Sequence, residues 1–570
     1  MWLKIPAKLF PTFIFGSLVV LVYLMPNLWH WSRGESGTVL LRDDEFSYAA
    51  RILRVEQGYL QVGNEWSWEN RHDPNLVPTL PDMILALLSK FLPVSFEIQI
   101  LLLRALLVLL LFLALRGLIG EFVTNYAAPA GLSAWILTDP GLLFYKPILA
   151  TFLSSAMLPL NRFTNPLFGL TIFFVTMLLA FRAFSEQGQR KQAVGAGIFL
   201  AAQFYISVYY WTHTVLWILF VIAFSKNPKR WQQLAWGVGV TTILAIPYVL
   251  HSLELRQHPV FSTIAWRNGL LLKERGWYLL GHKTIYLFLA LALWQMFRGD
   301  YRKKFLGIGI ITGGIIYFSS LLTVITFQNF HWHYTLAPVA FLLAYLSLPA
   351  RWAEQSFLLF CLGLLSLVCG GYSGVREYQR NLDQQKVGAS LIGKGYEPAL
   401  RWIRENTAPD AVILAAAPTA PHLPLKTERR VLYNSIVQFV SAQEVLLHHQ
   451  LYWFLHGWHG DELVKKIQRT NPVLAQFEYG FTDQQEREFQ EKNYPPISLT
   501  DMERLAREVA EIQSALSPHY FQEFLRRKKL DFILVGENEV GWKEHLPKLF
   551  LLEPVFQTEA ATIFRVQGIR

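Results

Sequence analysis

Asp43, Asp44 and Glu45 stand in a row near the start of the stretch LLRDDEFSYAARILRVEQGYL, residues 40–60. Behind them Phe46, Ala49, Ala50 and Leu53 recur at i, i+3, i+4 and i+7, the spacing of an amphipathic helix. Carboxylates that open a helix have two readings. In one they cap it, Asp43 accepting from first-turn amides and Glu45 favouring the positive end of the dipole; this accounts for one or two acids. In the other they do chemistry, together with further polar residues assigned below to the same side of a membrane. Arg162 and Asn165 in LNRFTNPLF, then Arg267, Lys273 and Arg275, then His331 and His333 in QNFHWHY, supply cations and donors of the kind that hold a phosphate. His331 and His333 could instead give two ligands to a zinc ion, if a third came from elsewhere. Trp66 and Trp68, just ahead of Arg71, His72 and Asp73, suit either a membrane interface or the flat face of a sugar ring.

What must position these residues is set by composition. The chain has 570 residues, 52% hydrophobic and only 16% charged, with 41 Phe, 23 Tyr and 19 Trp. A soluble domain is about a quarter charged, so this is an integral membrane protein. The net charge of +10 is no mark of nucleic-acid binding, because the basic residues fall in short loops between apolar runs. Cys361 and Cys369 both lie inside an apolar run and offer neither a disulfide framework nor metal spacing. The absence of any Asn-x-Ser/Thr acceptor favours a bacterial source.

The apolar run 9–29 is longer than a signal-peptide core and lacks a small-residue cleavage site, so it reads as a retained first span. Lys4 and Lys8 place the N-terminus in the cytoplasm. A long outer loop, 30–98, contains an interfacial segment at 83–92. Further spans are expected at 99–119, 127–145, 167–184, 193–210, 211–225, 232–252, 281–297, 305–327, 334–349 and 355–372, which makes about eleven. Every turn assigned to the cytoplasm carries Lys or Arg, among them Arg182, Arg190, Lys191, Lys229, Arg230 and Arg298. The tightest turn is 210–213, where two spans nearly touch. An odd number of spans leaves the C-terminus outside.

After residue 374 charges of both signs become frequent, with amphipathic helices at about 396–406, 440–456 and 500–527 and β-type runs at 411–416, 531–536 and 562–566. The expected organisation is therefore a helical polytopic membrane domain, 1–374, followed by a soluble extracytoplasmic α/β domain, 375–570. No glycine-rich phosphate loop opens a helix in that domain. Its acid-rich segment 481–491 reads as a solvated helix face.

The candidate chemical residues gather at one face of the membrane, and Arg104 is the main ionisable residue inside a span. An ion-coupled transporter needs acids near mid-membrane. The pattern Asp44-Glu45 after a first span, then Tyr48-Ala49 and Gln57-Gly58-Tyr59-Leu60, resembles the first outer loop of the GT-C membrane glycosyltransferases. It is most similar to their protein O-mannosyltransferase and lipid A aminoarabinose transferase branch. EPALRWIRENTAPDAVIL and LDFILVGENE also look like the outer domains of bacterial members. One departure is Asn161-Arg162-Phe163, which leads to Asn165-Pro166 where mannosyltransferases have an Asp; Asp139 is the nearby acid.

The resemblance implies a GT-C fold and a polyprenyl-phosphate-linked sugar as donor. The acceptor would be a glycan, a lipid or a protein, and the site would lie at the outer face of the cell membrane. It implies Asp44 as base, with Asp43 or Glu45 raising its pKa or holding a divalent cation or the acceptor. Arg162, Arg267, Lys273, Arg275, His331 and His333 would bind the donor phosphate. Trp66, Trp68, His72, Asp73 and Asn165 would touch sugar or acceptor. A single in-line displacement predicts inversion. Two other classes stay open: a lipid-linked-glycan flippase, which should show mid-membrane polar residues or two similar halves, and a non-catalytic scaffold, which would tolerate Asp44→Ala.

Overall fold

The computed structural model describes residues 9–32, 44–60, 62–69, 71–75, 79–92, 94–123, 127–139, 163–224, 228–258, 261, 283–319, 332–348, 361–372, 375–376, 394–416, 419–432, 442–468 and 499–570. The chain divides into two units: Met1–Glu45, Val77–Ser252 and Arg275–Asp383 form the first, and Phe46–Leu76, Leu253–Glu274 and Gln384–Arg570 the second. The second unit thus takes in part of the first loop as well as the C-terminal segment.

The first unit is helical. Its elements are α1 (Phe10–Ser32), then α3 (Leu80–Ser89), α4 (Phe96–Gly120) and α5 (Ala128–Thr138). A π-helical turn, Phe163–Phe168, leads into α6 (Gly169–Phe184), α7 (Arg190–Phe204) and α8 (Val208–Ala223). These are followed by α9 (Pro228–Gln257), α10 (Lys283–Arg298), α11 (Tyr301–Tyr317), α12 (His333–Leu346) and α13 (Cys361–Tyr372). The division passes through α2 (Asp44–Glu56), between Glu45 and Phe46. Among the described residues four helices are long and apolar enough to cross a bilayer: Phe10–Ser32, Ile98–Gly120, Pro166–Phe184 and Lys229–Gln257. Val208–Ala223, Ile285–Arg298, Tyr334–Leu346 and Cys361–Tyr372 are shorter apolar helices on further expected spans.

The two spans that nearly touch in sequence are separate helices, but they part earlier than at 210–213. The break falls between Phe204 and Val208, where the Ser207 hydroxyl accepts from the Tyr209 amide at 3.5 Å. His213 therefore sits within α8, fully buried, its ring nitrogens 2.9 Å from Thr335 Oγ1 and 2.8 Å from the Gly309 carbonyl. In lipid, helices gain little from apolar contact alone, and such bonds fix their pairing. Gln203 does the same work, donating to Thr176 Oγ1 at 2.7 Å and accepting from Thr214 at 2.8 Å.

The second unit is a mixed sheet with helices on both faces. Its strands are β1 (Val412–Leu414), β2 (Arg430–Val431), β3 (Phe532–Val535), β4 (Phe550–Gln557) and β5 (Thr562–Ile569), in the order β2-β1-β3-β5-β4. β1 runs parallel to β2 and β3, while β5 is antiparallel to β3 and β4. Its helices are α14 (Glu397–Asn406), α15 (Leu423–Thr427), α16 (Ala442–His456), α17 (Gly460–Gln468), α18 (Leu499–Ala515) and α19 (Pro518–Arg526). The central strands are apolar throughout because both faces are covered. Alternate side chains feed two cores: Ile413, Phe532 and Leu534 pack with Leu400 and Ile403, whereas Val412, Leu414, Ile533 and Val535 pack with Leu451, Leu455 and Phe521.

The helix expected over 500–527 is two helices, because Pro518 cannot continue the first and opens the second. Strand β4 was hidden in sequence by Glu553 and Pro554. A proline is tolerated only on an edge strand or at a bulge, and here it is both: β4 is the edge, with a register shift between Pro554 and Phe556. The acid-rich segment 481–491 lies outside the described residues.

Candidate active site

Helix α2 begins at Asp44, so the acidic residues do open a helix. Asp43 and the side chain of Asp44 lie outside the described residues. Within the first unit Glu45 is fully buried, and its Oε1 accepts from Arg104 Nη2 at 2.7 Å. Arg104 is also buried, in α4, and is the in-span cation that stood out in the sequence. A buried charge is tolerated when its partner is this close, and losing one member of such a pair is strongly destabilising. Glu45 is therefore committed to Arg104 by charge, which suits holding the helix start in place better than accepting a proton.

In the second unit Ala49, Ala50 and Leu53 form the expected apolar face of α2, yet Ile52, Arg51 and Arg54 are buried as well. Arg54 explains how. Its guanidinium donates to Gln57 Oε1 at 2.8 Å and to three main-chain carbonyls, those of Glu65 at 3.2 Å, Glu428 at 3.2 Å and Arg429 at 3.0 Å. Arg430 returns the connection, donating to the carbonyls of Asn64 at 3.2 Å and Ser67 at 2.7 Å. The amide of Val431 in β2 donates to the Trp66 carbonyl at 3.1 Å. Residues 64–67 are shaped for this by Asn64, whose Oδ1 accepts from the amides of Trp66 and Ser67 at 2.9 and 3.0 Å. Ser47 donates to the Glu65 carboxylate. The cost shows in the titration: burial, then repulsion from Arg430, pushes Arg54 down to about 9.

These contacts relocate several residues expected to meet a sugar. Trp66 is fully buried in the core with Ala50, Leu400 and Leu534, and has no exposed ring face to offer a sugar or an interface. The ring of Trp68 is engaged by two cations, Arg71 at 3.5 Å and Lys529 Nζ at 4.1 Å. His72 is exposed, 6.1 Å from the ring of Tyr59. Asp73 is half-buried, 3.9 Å from His258 Nε2. Asp139 is buried at the end of α5, accepting from Trp135 Nε1 at 3.1 Å.

Arg162, Arg267, Lys273, Arg275 and His331 lie outside the described residues; Asn165 in the π-helical turn and His333 at the start of α12 are described in backbone only. No group of three or more His, Cys, Asp or Glu that could hold a metal occurs among the described residues. The arginines Arg54 and Arg430 were missed in sequence, where nothing distinguishes an arginine bound to carbonyls from one that awaits a phosphate.

No family model matches the chain, and no curated protein does. Solved structures do. ArnT from Cupriavidus metallidurans bound to undecaprenyl phosphate aligns over 97% of each chain, with a TM-score of 0.52 and 12% identity. The same protein in the apo state aligns over 97% of each chain at 0.51 and 11%. The apo Archaeoglobus fulgidus oligosaccharyltransferase aligns over 99% of this chain and 75% of its own, at 0.50 and 11%. At such identities the likeness is one of fold: the chain has the fold of the GT-C membrane glycosyltransferases.

Proposed function

We propose that this chain is a polyprenyl-phosphate-sugar-dependent glycosyltransferase acting at the outer face of a cell membrane. The observation that carries the reading is the end-to-end likeness in fold to a structure holding undecaprenyl phosphate, in a chain whose first loop opens a helix with consecutive acids. The acceptor hydroxyl attacks the anomeric carbon of the donor and gives its proton to the Asp44 carboxylate. The bond from that carbon to the donor phosphate oxygen breaks, and its electron pair leaves with the phosphate. Passage through an oxocarbenium-like state by one displacement inverts the anomeric centre. Glu45, held by Arg104, fixes the helix start that presents Asp44. Arg162, Arg267, Lys273, Arg275, His331 and His333 are the cations proposed for the phosphate, where charge develops as the bond breaks. His72 and Asp73, both accessible, remain the candidates for sugar or acceptor, with Asn165. A divalent cation at Asp43 or Glu45 would be seen as metal-dependent transfer abolished by a chelator.

The test is Asp44→Asn. Asparagine still caps a helix, ranking with aspartate there, but carries no charge with which to accept a proton. Transfer from a polyprenyl-phosphate sugar should fall by about 10²–10⁴, with folding and retention of the donor lipid unchanged. Near-normal transfer in Asp44→Asn, Asp43→Asn and Glu45→Gln alike would leave the acids as a helix start and refute the reading.

A further inference from the structure

His213 is a buried titratable side chain that the proposed chemistry leaves unused. It stands in α8, fully buried, its ring centroid 5.6 Å from that of Phe173 on α6 and 5.5 Å from that of Trp217. Glycine on α11 lets the ring come close: a Cβ at Gly313 would stand 3.0 Å from its Cε1 and Nε2. The Gly309 carbonyl, 2.8 Å from Nε2, can only accept, so that nitrogen carries the proton of a neutral ring. Nδ1 is then left to accept from the Thr335 hydroxyl at 2.9 Å. With its one proton given to the imidazole, Thr335 leaves the Trp332 carbonyl, 3.0 Å from Oγ1, to the first bond of the α12 ladder.

Thr335 lies in the first turn of α12, and that turn needs a hold from outside. No side chain caps it at Trp332. Pro338 has no amide hydrogen, so the helix lacks the bond that would end on the Tyr334 carbonyl, and its first turn is coupled weakly to the rest. The hold comes from α8, where Tyr209 and His213 stand one helical turn apart. The Tyr209 carbonyl accepts from Trp332 Nε1 at 3.1 Å, and His213 takes Thr335. The Trp332 ring, only 2% exposed, packs with Tyr209 and with Ile316 of α11. Trp332 and Thr335 bracket His333, and His331 is the residue before Trp332. These are the two histidines proposed for the donor phosphate.

We propose that His213 is a positioning residue for the donor phosphate: it fixes the start of α12, and with it the backbone that carries His331 and His333, before the lipid arrives. This rests on the reading of those two histidines as phosphate ligands. A turn already held in place need not be ordered by the ligand, and an ordering cost removed in advance appears as affinity. A buried histidine that served only to pair helices would do so anywhere along α8, α11 and α12, whereas this one meets the turn next to the candidate ligands.

Binding of undecaprenyl phosphate to the purified full chain, compared with undecaprenol, which has the same tail and no phosphate, tests this. Thr335→Val keeps the side chain's shape and removes the hydroxyl. It should weaken undecaprenyl phosphate about tenfold, the upper worth of one hydrogen bond, and leave undecaprenol unchanged. Thr335→Ser should bind like the parent. Trp332→Phe, which keeps a ring but loses the bond to Tyr209, should act in the same direction as Thr335→Val. His213→Leu should lose more, and because it also releases Gly309 its folding is checked by thermal unfolding; Thr335→Val leaves that bond in place. In a chain carrying both His331→Ala and His333→Ala, adding Thr335→Val should cost less than about twofold, because the positioning acts through those histidines. Equal loss for both lipids, or the same loss with and without the histidines, would mean packing alone and overturn the inference. So would a Thr335→Val that binds like the parent while the histidine variant is weakened, and the phosphate reading would then stand. A parent that does not prefer undecaprenyl phosphate to undecaprenol, or a histidine variant that binds like the parent, would refute the phosphate reading of His331 and His333 and this inference with it.

Discussion

Replacing Arg54 with lysine should damage this protein more than replacing it with methionine. The guanidinium makes four hydrogen bonds, three of them to carbonyls from two distant parts of the chain. A lysine keeps the charge and its burial cost, but an ammonium on a single stem cannot span that fork. It would reach about two of the four acceptors and forfeit two charge-assisted bonds, each worth about 1.5–3 kcal/mol, for a net loss of roughly 3–6 kcal/mol. Methionine leaves all four acceptors without this donor, at a cost of about 1–3 kcal/mol for each one that stays buried. It also removes the charge whose burial holds Arg54 down to about 9, a relief on the order of 4–5 kcal/mol. Only the bonds to the Glu65 and Arg429 carbonyls are fully buried, so methionine loses about 2–6 kcal/mol against that relief, a net between about −3 and +2 kcal/mol. For a unit of this size about 1 kcal/mol moves the midpoint by 2–4 °C, so lysine should lower the thermal midpoint of the second unit by about 10 °C. Thermal unfolding of the purified full chain, followed by limited proteolysis in the second unit, reads this directly. A lysine variant within about 3 °C of the parent, or a methionine variant that melts below the lysine one, would refute the reasoning.

Arg104→Met removes the guanidinium that Glu45 pairs with and should cost about 3–5 kcal/mol, whereas Arg104→Met with Glu45→Gln should recover most of the stability; a double variant no more stable than the single one would count against the pairing. Burial pushes Glu444 up, but hydrogen bonds from His448 and Lys528 outweigh it and hold the carboxylate at about 2. An acid lowered in the folded state contributes stability above its unfolded pKa and loses it as pH falls. Lys528→Met should therefore destabilise the second unit by about 2–3 kcal/mol at pH 7, with the difference shrinking between pH 4.5 and 2; a difference unchanged down to pH 3 would contradict this. Glu539, which accepts from Tyr396 and the amides of Ala416 and Gly536, is raised by burial, so the stability it contributes is present below the ordinary carboxylate range and falls as pH rises through its folded value. Glu539→Gln should remove that fall, as seen in unfolding midpoints from pH 4 to 7.

How much was legible in the sequence depends on how far each signal reaches along the chain. Apolar runs are local and long, and each described membrane helix coincides with one; α2, α14 and the strands β1, β3 and β5 fall where the periodicity of apolar residues put them. The errors were at punctuation, where one residue decides: Ser207 sets the break between α7 and α8, and Pro518 splits the helix read as continuous. β4 was invisible because an edge strand tolerates the proline and acid that argue against a strand elsewhere. Within the candidate site the acids and Arg104 were legible by type, because a helix start and a charge inside a span are both conspicuous. Their pairing was not, since Glu45 and Arg104 are 59 residues apart in sequence.

The same limit hid the arginines that hold the second unit together. An arginine in an outer loop of a basic protein looks available, and composition gives no reason to think otherwise. Arg54, Arg429 and Arg430 are instead bound to carbonyls: Arg429 donates to those of Arg404, Thr407 and Thr427, and the other two join residues 64–67 to residues 428–430. Trp66 goes with them, its ring in the core and its carbonyl on Val431. Residues 46–76 are thus held as part of the sheet-bearing unit, so the C-terminal segment cannot be a detachable accessory to the loop that bears the acids. Truncation after Asp383 removes β1 to β5 and with them the carbonyls that hold Arg54 and the strand that meets Trp66. If the acids do the chemistry, that truncation should abolish transfer outright rather than weaken acceptor use alone, and co-expression of residues 384–570 as a separate chain should restore part of it. Transfer that survives truncation would mean that α2 keeps its place without the bonds described, and the account given for Arg54 would fail with it.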